Sequence, residues 1–198
     1  MRHPDGVTRV HRPTGAWTPA VHALLAHLEA RGLDGIPEVI GRDDKNQEVV
    51  SYLPGLTLDP ETQQPSIDAL VHAASWLRRF HDAVQDFRPG AVEWRQGPID
   101  DLAFLCWSGV PLLREIPAEE AAARLSAVAR AYGGVKPTTL LDAVLDRMDL
   151  IAQRWRAGLE RGDPGTIALR DAGIMDRHLA KVQHFADRRA PILEVLSA

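Results

Sequence analysis

Arg12, Tyr52, His81, Trp94, Asp100, Asp101 and Trp107 are the side chains whose types and positions could bind or transform a small molecule. Arg12 ends an alternating run, VTRVHR at 7–12, and its planar guanidinium suits a phosphate or carboxylate; a surface arginine at a strand end is the other reading. Asp100 and Asp101 are adjacent acids. They suit a helix N-terminus, where negative charge is stabilised, or they could attract a cation or an amine. Two such acids without a third ligand make a poor magnesium site. His81-Asp82 resembles the start of an HxD loop, yet it lies in a strongly periodic helical stretch, and no Asn follows at the matching distance. Asp171, Asp176 and His178 (RDAGIMDRH) offer carboxylates for charge-assisted bonds to a polycation, or they are solvated helix ends.

Other chemistries find no support. His22 and His27 lie five apart and His178 and His184 six apart, neither being the spacing of HExxH, so no metal is expected. No GxSxG elbow is present. The lone Cys106 sits in an apolar run, LAFLCW, which marks an inert buried thiol. Trp76, Trp94, Trp107 and Trp155 read as core or pocket walls. No catalytic residue can be assigned from these patterns.

Composition narrows the class. The 198 residues are 45% hydrophobic and 25% charged, as in ordinary globular domains. A net charge of −4 carries no basic footprint, so nucleic acid is not an expected partner. No stretch reaches the ~18 apolar residues of a membrane span, and the first residues have no apolar signal core. A cytoplasmic protein with no membrane partner is expected.

The elements that must position the candidates are legible from pattern and punctuation. Residues 7–12, 37–41 and 48–53 read as strands. Thr18 is the expected N-cap, with Pro19 at the first position, of a helix closed by Gly32. Residues 66–84 hold a 3.6-residue period behind a Ser66 cap. Helices are expected over 100–107, 118–132 and 138–161, the last capped by Thr138, with a final helix or pair over 165–196. The fold class is therefore α+β and predominantly helical: three strands with one helix, then about five helices.

Three stretches carry a resemblance: Trp17–Gly55 (WTPAVHALLAHLEARGLDGIPEVIGRDDKNQEVVSYLPG), Trp76–Trp94 (WLRRFHDAVQDFRPGAVEW) and Asp100–Trp107 (DDLAFLCW). They are similar to the aminoglycoside phosphotransferase family, which is kinase-like. The resemblance implies a remnant N-lobe over 1–55, without its first hairpin, and a helical C-lobe over 56–198. It places Arg12 at the cation for the nucleotide phosphates and Val21 where a helix Glu would anchor that cation. Ser51–Gly55 corresponds to the segment whose backbone pairs with adenine, and His81-Asp82 to a structural element. The family's HxDxxxxN loop and metal-binding Asp strand fall between the second and third stretches, yet Trp94 is followed within six residues by Asp100. The join looks like a deletion of roughly forty residues, an entropically cheap shortening. The resemblance thus implies a degenerate member that binds or transforms a small molecule in a remodelled cleft between the lobes, with no cofactor. A residual ATP- and magnesium-dependent aminoglycoside-type phosphotransferase and a non-catalytic scaffold are the alternatives. A small-molecule ligand and a homodimer are the expected partners.

Overall fold

Short alternating runs broken by Pro and Gly give three strands, and longer Ala- and Leu-rich runs give seven helices, among the residues described by this computed structural model: 7–59, 62–88 and 97–198. The chain divides into two compact units, one of Met1–Thr57 with Arg78–Arg95, the other of Leu58–Leu77 with Gln96–Ala198. The architecture is α+β and mainly helical.

In the first unit β1 (Arg9–Arg12), β2 (Val39–Arg42) and β3 (Glu48–Ser51) form an antiparallel sheet in the order β1-β3-β2. Arg9 pairs with Ser51 and Arg12 with Glu48, while Arg42 of β2 pairs with Glu48 from the other side. A bulge falls between Val39 and Gly41. The central strand buries Glu48, Val49 and Val50. Because neighbouring residues point to opposite faces, both faces of this strand are covered.

Helix α1 (Thr18–Ala30) follows Pro13 and the turn at Gly15. Thr18 does not cap it. Trp17 occupies the N-cap position without a side-chain bond, and Thr18 Oγ1 instead accepts the Gly15 N–H at 2.9 Å. The hydroxyl thus closes the preceding turn rather than the helix. Gly32 ends the helix with φ +69°, a left-handed conformation that glycine adopts without a Cβ penalty. His27 Nε2 lies 2.8 Å from the Ala83 carbonyl, and Arg79 pairs with Asp34 at 2.8 Å, fixing the unit's second segment.

Helix α2 (Ile67–Ala83) begins at Ser66, whose Oγ accepts the Ala69 N–H at 3.1 Å. Its early turns contribute Leu70 and Ala74 to the second unit's core. That core is built by α3 (Pro98–Gly109), α4 (Ala118–Tyr132), α5 (Pro137–Glu160) and α7 (Ile174–Ser197). Leu102, Cys106, Leu125, Val128, Leu140, Val144, Met148, Phe185 and Ile192 are all essentially inaccessible to water. Thr138 does not cap α5: Lys136 holds the N-cap position and Pro137 the first turn, with no side-chain cap. The final pair resolves into α6 (Pro164–Asp171), capped by Asp163, and α7, with Gly173 between them at φ +67°.

Arg188 on α7 ties down the α3–α4 connection. Its guanidinium donates to the carbonyls of Leu112 at 2.9 Å, Ile116 at 2.5 Å and Arg114. The connection satisfies only some of its carbonyls itself, that of Arg114 also accepting the Ile116 N–H at 2.9 Å, and a planar five-donor head reaches several at once. No helix among the described residues is long and apolar enough to cross a membrane.

Candidate functional site

Arg12 stands at the end of β1, directly across the ladder from Glu48. Cross-strand partners share a face, so the guanidinium Nε meets the Glu48 carboxylate at 2.6 Å. The second Glu48 oxygen lies 2.6 Å from His22 Nε2 on α1. Burial works against the charge on Glu48, but the bonds from Arg12 and His22 outweigh it and hold the carboxyl below its ordinary range. The anchor for Arg12 is thus a strand glutamate thirty-six residues away. Val21, at the position the resemblance gives to a helix Glu, cannot anchor Arg12, but the adjacent His22 holds the same glutamate. Beside this cluster, His11 Nδ1 lies 2.7 Å from Asp43 Oδ2. The hydrogen bond to His11, with the Gln47 and Lys45 amides, holds the Asp43 carboxyl below its usual range against a desolvation penalty.

Tyr52 follows β3 and is exposed. It does not join Arg12: Arg12 pairs with Glu48, whereas Ser51, beside Tyr52, pairs with Arg9, a separation of roughly 10 Å along the strand. His81 lies in the last turns of α2, nearly buried, with its ring 5.6 Å from Phe80. Asp82 accepts from Arg78 at 3.0 Å one helical turn back. The dipeptide is therefore helical, as its period indicated. Trp94 lies outside the described residues.

Asp100, Asp101 and Trp107 share α3. The Asp100 carboxylate accepts the Gly97 N–H at 3.0 Å, so one of its oxygens caps the helix. Asp101 is half-buried in the same turn. Positions 100, 104 and 107 fall on one helical face, and this face brings two further side chains to the site. Phe104 is 48% exposed, with its ring centroid 5.6 Å from that of Trp107. Arg147 of α5 places its guanidinium carbon 4.9 Å from the Phe104 centroid and donates to the Asp100 carbonyl at 3.4 Å. Trp107 Nε1 and Arg147 Nε are both buried and meet no acceptor.

The remaining candidates fall on α6, α7 and α3. His178 is buried, with Nε2 3.0 Å from the Met148 carbonyl and its ring 4.9 Å from that of Trp155. Asp171 pairs with its neighbour Arg170 at 2.8 Å. Burial pushes the Cys106 thiol up to about 12, which leaves no thiolate at neutral pH. Among the described residues, no group of three or more His, Cys, Asp or Glu side chains is placed to hold a metal ion.

Sequence inspection missed Glu48, His22, Phe104 and Arg147. Glu48 carried a weak signal, an acid at the start of an apolar strand, but its meaning depends on register. Arg147 carried none, because its role arises only when α5 packs on α3.

No family model matches this chain, and no solved structure matches it. Among curated proteins, it is similar to trifolitoxin immunity protein of Rhizobium leguminosarum bv. trifolii, with 37% identity over 82 residues. The match covers 40% of this chain and 31% of that protein, less than a third of the relative's length.

Proposed function

We propose that this chain binds a small molecule without transferring phosphate to it, as a degenerate relative of the kinase-like aminoglycoside phosphotransferases. The observation that carries this reading is in the sequence: Trp94 is followed within six residues by Asp100, which leaves no room for the HxDxxxxN loop or the metal-binding Asp strand. The cation that the resemblance assigns to nucleotide phosphates is bound to a buried glutamate, which a histidine also holds. The similarity to trifolitoxin immunity protein supports a protective role, since immunity can rest on binding alone. The ligand would then be a toxic compound, or a part of one, held in a stoichiometric complex. A cytoplasmic site of action suits a chain whose single cysteine is buried and unpaired.

Calorimetric titration with magnesium-ATP tests the reading. No heat, and no rise in thermal midpoint at saturating nucleotide, are expected. Micromolar binding would overturn it and restore the phosphotransferase alternative.

A second reading, an association module that forms a homodimer, is favoured by one observation. Val39, Ile40, Tyr52, Leu53 and Leu56 are all exposed within the first unit, Leu56 at 93%. An apolar group of this kind beside an edge strand invites a partner. Sedimentation distinguishes the two, since a tight, ligand-independent dimer belongs only to the association module.

A further inference from the structure

We propose that the α3–α5 facet formed by Phe104, Trp107 and Arg147 binds a planar apolar molecule carrying one carboxylate. The inference rests on the binding role proposed above and names its ligand class.

Two donors on this facet lack acceptors. Trp107 Nε1 and Arg147 Nε are buried and unpartnered, and a buried donor without an acceptor costs folding free energy. Two oxygens of Asp100 already have donors. One Asp100 carboxylate oxygen takes the Gly97 N–H, and the Asp100 carbonyl takes Arg147 Nη1. A ligand oxygen would give these donors an acceptor. A carboxylate oxygen can meet either N–H donor, and Arg147 supplies the opposite charge. The Asp100 carboxylate on the same helical face repels a dianion more than a monoanion, which favours a carboxylate over a phosphate.

Phe104 determines the rest of the ligand. Its half-exposed ring neighbours both the indole and the guanidinium, 5.6 Å and 4.9 Å from them. Rotation of this side chain uncovers both donors, and its face then offers a stacking surface for a flat apolar body. Binding thus gives an unpartnered donor its acceptor and covers an exposed aromatic ring.

Benzoate is the probe. The Trp107 indole N–H resonance, identified by its absence in Trp107→Phe, is followed during titration. A saturable shift in the millimolar range or tighter is expected for a ligand of this size. Binding to Arg147→Met and to Trp107→Phe, measured by calorimetry, weakens at least tenfold, while both variants keep the wild-type circular dichroism. If Arg147→Met fails to fold, Arg147→Lys replaces it, keeping the charge but losing the fork; a tenfold loss is again expected. Absence of a saturable shift, or equal affinity in the variants, overturns the proposal. The magnesium-ATP titration separates the two levels. No nucleotide heat with no benzoate shift removes only the ligand class, whereas nucleotide binding removes the binding role itself.

Discussion

The sheet of the first unit and the α3–α5 facet of the second each hold an arginine beside other polar groups, and they treat it in opposite ways. Arg12, Glu48 and His22 complete one another: both carboxylate oxygens are taken, and the buried charge is balanced. At the facet, Trp107 Nε1 and Arg147 Nε point at nothing that accepts. A satisfied buried cluster stabilises a fold and has little hydrogen-bonding capacity left for a ligand, whereas an unsatisfied one destabilises the fold until an acceptor arrives. The resemblance directed attention to Arg12 as the chemical centre. The geometry directs it to α3 and α5.

Breaking the satisfied cluster gives the largest expected effect. Glu48→Ala leaves Arg12 and His22 without their shared partner. Because Arg12 is 41% exposed and partly rescued by water, the loss should be about 2–3 kcal/mol, below that of a fully buried pair. Chemical denaturation monitored on the first unit checks it, and a loss under about 0.5 kcal/mol, the level of an ordinary surface pair, would show that the cluster does not hold the sheet.

Acid should act on the two regions unequally. The Glu48 and Asp43 carboxyls are more acidic in the fold than in the unfolded chain. Groups of this kind stabilise the fold above the ordinary carboxylate range, and their contribution fades as the pH drops through that range towards the lowered folded value. Amide exchange measured from pH 6 to pH 3 should show protection of β1–β3 falling before that of α4 and α5. Simultaneous loss in both units would remove the distinction.

Asp100→Ala tests whether the acid at the facet is a cap. Loss of the bond to the Gly97 N–H should cost about 1 kcal/mol, seen as fraying of the first turn of α3. The smallest effect belongs to Trp107→Phe. The lost ring area destabilises while removal of an unpaired donor stabilises, so the variant should lie within about 1 kcal/mol of the wild type, against 3–5 for stripping a large buried aromatic. A larger loss would mean that Nε1 has a partner after all.

The elements themselves were largely legible. Gly32 and Ser66 each stand at a helix boundary, because backbone preferences act locally. Thr18 and Thr138 misled for the same reason: a hydroxyl beside Pro can serve a turn or the helix, and local sequence does not decide which. The site was less legible. Arg12 was visible as a residue type, but its partner sits thirty-six residues away in a register that the strand sequences do not specify. Asp100, Asp101 and Trp107 were found as neighbours in sequence. Phe104 lay unremarked among them, and Arg147 joins them only through helix packing.

The Arg188 clamp bears on the order in which the second unit can mature. Three carbonyls of the α3–α4 connection accept from one guanidinium 72 to 76 residues later, and only that of Arg114 has a local donor as well. Closure of so large a loop lies on the slow side of folding, where distant contacts must be made before they stabilise anything. During synthesis, α3 and α4 would emerge and pack while their connection still hydrogen-bonds to water. The connection would lock only when α7 docks, so a chain arrested before residue 188 should show native helices around an unlocked loop.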